Sequence, residues 1–184
     1  MSSAAPVFPG LQDDQVPAGS RPFLEKVKKG FGVVPNLFAA FSNSPVLLEG
    51  YLGLDAVYSK GTLSAAERQL VLLTASVVNE CAYCTAAHST VAKSMLHMPA
   101  AVVAAVRARQ PAANAQLDAL VNLTREVVQP RGHVAPATIQ PFLDAGFHRE
   151  QIGEVLVAVA LKTISNYTHH FSHVEIDAPF KAEA

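Results

Sequence analysis

No stretch of the 184 residues alternates apolar and polar side chains at period two, whereas from Pro22 onward apolar residues recur every three or four positions. This pattern confines the chain to helices. Phe23, Leu24, Val27 and Phe31 make a first stripe that stops near Gly30 and Gly32. Pro35 opens a short helix through Phe41. Ser44 and Pro45 then form an N-cap with proline in the first turn, leading a helix that carries Leu47, Leu48, Tyr51, Leu52 and Val57 as far as Gly61. Ser64 followed by Glu67 is a capping box, in which the serine oxygen takes one orphan N–H and the glutamate reaches back for another. The helix it starts carries Leu70, Leu72, Leu73, Val77 and Val78 and runs to about Asn79. Further helices are expected from Cys81 to about His97, over Pro99–Gln110, Ala113–Val128 and Pro136–Ala145, and from His148 to about Phe171, with Gly146 as a left-handed cap. Pro6, Pro9, Gly10 and Pro17 break any period in residues 1–20, which read as an irregular arm ahead of one helical domain spanning 21–184.

Composition narrows the setting. Half of the residues are hydrophobic, 16% are charged and the formal net charge is −1. A single domain of this length buries a core without covalent staples, and so much Ala, Val and Leu suggests that some helix faces are buried between subunits. Near-zero charge gives no footprint for nucleic acid or an anionic membrane. The N-terminus lacks the basic and apolar regions of a signal peptide. The longest apolar runs, Val71–Val78 and Val155–Leu161, are too short to cross a bilayer. These features predict a cytoplasmic protein.

The chemistry concentrates in Cys81-Ala82-Tyr83-Cys84-Thr85-Ala86-Ala87-His88, which holds both cysteines of the chain. On a helix, Cys81, Cys84 and His88 share one stripe. A CxxC pair at a helix start gains from the free N–H groups and the helix dipole, which favour a negative sulfur. The spacing lets one sulfur attack and the other resolve the product as a disulfide. His88, one turn on, can move protons. In a reducing compartment two such cysteines point to catalysis, redox sensing or metal. Zinc is the sharpest rival: Cys81, Cys84 and His88 supply three donors, and His169, His170 or His173 a fourth. The redox reading needs neither metal nor cofactor, and no GxGxxG follows a strand.

The segment Asn79–Ser89 resembles the carboxymuconolactone decarboxylase superfamily, specifically its alkylhydroperoxidase D-like, CxxC-bearing branch. Val34–Phe38, Pro45–Leu48, Leu63–Arg68, Asp144–Phe147 and Lys162–Tyr167 support the resemblance. It implies an all-α helical bundle assembled as a homo-oligomer, commonly a trimer or hexamer. It further implies a thiol peroxidase or disulfide oxidoreductase that reduces hydroperoxides and is recharged by an external dithiol or thiol–disulfide protein. Carried over by position, Cys84 is the peroxidatic thiol, Cys81 the resolving thiol and His88 a proton relay. The family's relay glutamate falls on Gln69, which cannot ionise. Glu67, Glu80 or a partner chain would then rebuild the relay, although Glu67 is better used as the partner of Ser64. By the same resemblance, His170 sits near the active site.

The remaining candidates are weaker. His169 and His173 are spaced to share a metal, but imidazoles at a helix end also satisfy the last carbonyls. Tyr83 reads as a wall residue, and Phe38, Phe41 and Tyr51 as pocket or core. Besides the peroxidase, the sequence leaves open a non-enzymatic redox sensor, a zinc module and a ring-lactone decarboxylase, against which the CxxC argues.

Overall fold

The computed structural model describes residues 6–112 and 114–184, and every regular element among them is helical. The elements are α1 (Arg21–Phe31), α2 (Asn36–Phe41), α3 (Pro45–Tyr58), α4 (Ala65–Val78), α5 (Ala82–Thr90), α6 (Ala100–Arg107), α7 (Ala115–Val128), α8 (Pro136–Asp144) and α9 (Arg149–Ser172). The sequence signals act where the physics requires. Gly32 takes φ 79° to close α1, and Gly146 takes φ 93° after α8, conformations costly for a residue with a Cβ. The Ser44 oxygen accepts the Leu47 N–H, and Asn114 caps α7 through Leu117. The expected start of that helix at Ala113 lies outside the described residues.

The capping box is present in both halves: Ser64 N–H donates to Glu67 Oε2 at 2.7 Å, and Glu67 N–H to Ser64 Oγ at 3.2 Å. Because Ser64 is exposed, Ser64→Ala is expected to lower the unfolding free energy by about 1 kcal/mol. The loss should appear as a lower urea midpoint at unchanged slope.

Helix α4 is the hub. Its residues from Gln69 through Ser76 are all buried, which a two-turn run does only when partners surround it. It packs against α5, α6, α7 and α9, while α2 and α3 lie on α9. Buried Thr74 and Ser76 satisfy their hydroxyls on Leu70 O and Leu72 O, both at 2.7 Å. A cluster of Leu63, Val71, Leu120, Leu123, Phe142 and Leu161 fills one side of α4, and Leu70, Leu73, Val102, Val103 and Val121 fill another. The turn before α4 is tied to α9, where Glu154 accepts the N–H groups of Thr62 at 2.7 Å and Leu63 at 3.0 Å. Gly61 makes room for that carboxylate, since a Cβ there would stand 2.2 Å from Glu154 Oε2.

Two features depart from the helix pattern. The helix expected to continue to His97 changes to a wider π turn over Val91–Met95. The tail after α9 turns at His173 (φ 48°) and returns as a 3₁₀ segment, Ala178–Glu183, laid on α5. Asp177 accepts from Tyr83 Oη at 2.5 Å and from the Asn36 N–H at 3.2 Å. Glu183 pairs with Lys93 and Arg107. These anchors come from residues more than 70 positions apart, which no local period reveals.

Candidate active site

The link between α4 and α5 is short and sharp. Glu80 adopts φ 56°, and the Cys81 N–H donates to Ser76 O at 3.0 Å, so α5 leaves α4 at once. Cys81 is the N-cap residue of α5 and Cys84 its third helical position. Both sulfurs therefore sit where the first-turn N–H groups are free. Both cysteines are reduced and buried, Cys81 at 0% exposure and Cys84 at 2%. Around them lie Phe41, Leu48, Tyr83, Phe38 and Tyr51. Phe41 and Tyr51 are 4.6 Å apart, and Phe38 meets both edge-on.

The two thiols are electrostatically unequal. Hydrogen bonding from Cys81 holds the Cys84 thiol below the usual thiol range against the cost of burial, and the charge on Lys162 and the side chains of Asn166 and Ser165 add to it. The same contact with Cys84, reinforced by burial, pushes Cys81 up. Asn166 Oδ1 accepts from Asn79 at 2.9 Å, while its buried Nδ2 has no hydrogen-bond partner.

The His88 ring is held by α4 and α9. Its Nε2 is 2.8 Å from Lys162 Nζ, and its Nδ1 is 2.8 Å from the side-chain amide of Gln69, whose Nε2 donates to His88 O at 3.0 Å. Burial and the Lys162 charge push its pKa well down, so the ring is neutral. His88 thus bridges Gln69 and Lys162, and the Lys162 charge in turn acts on Cys84. Gln69 suits this arrangement as glutamate would not, because a carboxylate would stand against the His88 carbonyl.

The other relay candidates are placed elsewhere. Glu67 is spent on Ser64, and Glu80 is exposed and pairs with Arg109 at 3.4 Å. His170 is exposed on the last turn of α9, beside His169 and Tyr167. It reaches the neighbourhood of Cys81 together with His169.

Lys162 is the residue that sequence reasoning missed. It is 1% exposed in the middle of α9. The signal was available: Lys162 falls at helical spacing with Val155, Ala158, Ser165 and Asn166, on the stripe that faces α4 and α5. A lysine on a buried stripe is uncommon without a partner.

The carboxymuconolactone decarboxylase family model matches residues 47–126, which include α3, α4, α5 and the CxxC. No curated protein matches the chain in sequence. Solved structures match its fold along nearly the whole length. An uncharacterized peroxidase-related protein with an alkylhydroperoxidase AhpD core, from Ralstonia eutropha JMP134, is 21% identical with a TM-score of 0.83 over 97% of this chain and 96% of that one. A peroxidase-related protein from Silicibacter sp. TM1040 is 15% identical with a TM-score of 0.81, covering 100% and 99%. The debrominase Bmp8, in complex with 2,3,4-tribromopyrrole, is 17% identical with a TM-score of 0.80, covering 98% and 97%.

Proposed function

We propose that the chain is a member of the carboxymuconolactone decarboxylase superfamily, whose family model matches residues 47–126, in its alkylhydroperoxidase D-like branch, and that it is a dithiol-dependent peroxidase in which Cys84 attacks and Cys81 resolves. The observation that carries the reading is the unequal thiol pair at the N-terminus of α5, with the buried Lys162 charge acting on Cys84. In the first step the Cys84 thiolate attacks the terminal oxygen of a hydroperoxide, the O–O bond breaks, and the leaving alkoxide takes a proton from Lys162. Cys84 is now a sulfenic acid. The Cys81 thiol displaces its hydroxyl as water and forms the disulfide. An external dithiol then reduces the pair by exchange and is itself oxidised. His88, itself met by Gln69, holds the Lys162 amine in place, and the Cys84 thiol regenerated by the dithiol returns the proton to that amine.

The apolar and aromatic surroundings favour an organic hydroperoxide over a charged substrate. The same lining supports a second reading, reductive debromination of a small aromatic, in which the two thiols supply two electrons and bromide leaves. A purely sensing role would give one oxidation per slow reduction. Lactone decarboxylation would not use the thiols.

A steady-state assay separates these readings. With excess dithiol, the protein is expected to consume cumene or tert-butyl hydroperoxide continuously. A single equivalent consumed would identify a sensor. Bromide release from a bromopyrrole without peroxide turnover would identify the second reading.

Among the described residues no helix is long and apolar enough to cross a membrane, and a pair that must be kept reduced suits the cytoplasm. The exposed surface supports assembly into a homo-oligomer. Leu156, Tyr167 and Phe171 form one exposed stripe along α9, while Val46 and Val57 are exposed on α3. Faces this apolar mark subunit contacts. Light scattering is expected to give a multiple of 19.5 kDa, a trimer or hexamer. Tyr167→Glu with Leu156→Glu should release monomers with helical circular dichroism intact.

A further inference from the structure

Cys81 of the redox pair also belongs to a second cluster, whose two histidines the proposed peroxidase steps do not use. We propose that Cys81, His169 and His170 form a binding site for a borderline-soft divalent ion, zinc(II) by its donor set.

Their ligand atoms all lie within 4.8 Å of one another. Zinc takes thiolate and imidazole donors at about 2.0–2.3 Å, which sets ligand atoms roughly 3.3–3.8 Å apart in a tetrahedron. Closing to that geometry takes at most about 1.5 Å, and His170 is exposed on the last turn of α9.

The second observation is the state of His169. Its Nε2 lies 3.3 Å from Val174 O, which accepts only if that nitrogen carries the ring proton. Nδ1 is then a bare acceptor, and it is buried without any partner. Buried acceptors are paired in the great majority of cases. A ring nitrogen whose opposite N–H is pinned to a backbone carbonyl is also the way proteins present histidine to a metal. The ring is held on its face by Tyr83, at 5.4 Å, and Tyr83 is held by Asp177. The histidine is thus oriented by the returning tail.

This set differs from the zinc set that the sequence suggested. His88 has both ring nitrogens engaged by Lys162 and Gln69, and the Lys162 charge next to Cys84 opposes a cation there. Cys81 remains, with the two adjacent histidines of α9 in place of His88. Binding would release the Cys81 thiol proton to solvent and leave one position for water. Occupied, the site would also withhold Cys81 from disulfide formation, a consequence that rests on the redox reading, whereas the site itself does not.

The test uses the chelator-treated full chain with cobalt(II) as a spectroscopic stand-in, then zinc(II) in competition with a chromophoric chelator. One ion per chain is expected, with a near-ultraviolet thiolate-to-cobalt band. The band should survive Cys84→Ser and vanish in Cys81→Ser. His169→Gln and His170→Gln should each weaken zinc binding by at least about 10-fold; His170 is exposed, so its variant is not expected to disturb folding. A wild type without the band, a band lost in Cys84→Ser but kept in Cys81→Ser, or unchanged affinity in both histidine variants would overturn the proposal. None of these readouts involves peroxide, so they stand whether or not the peroxidase assay succeeds.

Discussion

Lys162→Met is expected to lower kcat/KM for hydroperoxide by roughly 10²-fold at neutral pH and to move the pH profile upward. The amine is fully buried, touches His88 and acts on Cys84. Its charge favours the thiolate and disfavours imidazolium, adding to the Cys81 hydrogen bond at Cys84 and to burial at His88. Methionine keeps the shape of the side chain and removes the charge. Thiolate is the reactive form, so activity rises as pH climbs through the Cys84 pKa. In the wild type that rise should be complete near neutrality. In the variant it should shift toward the ordinary thiol value of about 8.5, and activity should return at alkaline pH. Thiolate absorbance against pH provides the readout that a merely structural role would not move. An unchanged titration in a folded variant would remove Lys162 from the mechanism.

The largest loss is expected from Cys84→Ser, with turnover falling by more than about 10³-fold. Cys81→Ser should behave differently. It retains Cys84 near the helix N-terminus, so it should still consume one equivalent of peroxide, but without a resolving thiol it should stop as a sulfenic acid that dimedone traps. Its titration should also rise, because hydrogen bonding from Cys81 is the largest influence lowering Cys84. Dimedone labelling and peptide mapping of both variants check the assignment. Trapping at Cys81 in the Cys84→Ser protein, with turnover preserved, would exchange the two roles.

The helices were legible because caps and periods are local. Ser44, the Ser64 and Glu67 pair, Gly32 and Gly146 each act through atoms within a few residues. The CxxC at a helix start was legible for the same reason. The wiring of the site was legible only in part. The family resemblance sets Gln69 in the relay with His88, and the ring does meet it from α4, but its other nitrogen meets Lys162 from α9, which no local pattern pairs with it. Those partners lie 19 and 74 positions away. The tail was missed because its anchors, Asp177 to Tyr83 and Glu183 to Lys93, are tertiary pairs within a segment that lacks its own apolar period.

Competitive alkylation of the wild-type protein across pH, with each cysteine mapped separately by mass, bears most directly on the central claim. Cys84 should label first with a midpoint below 7, while Cys81 stays protected until Cys84 has reacted. Labelling that begins at Cys81, or a Cys84 midpoint no lower than that of a free thiol, would contradict the account.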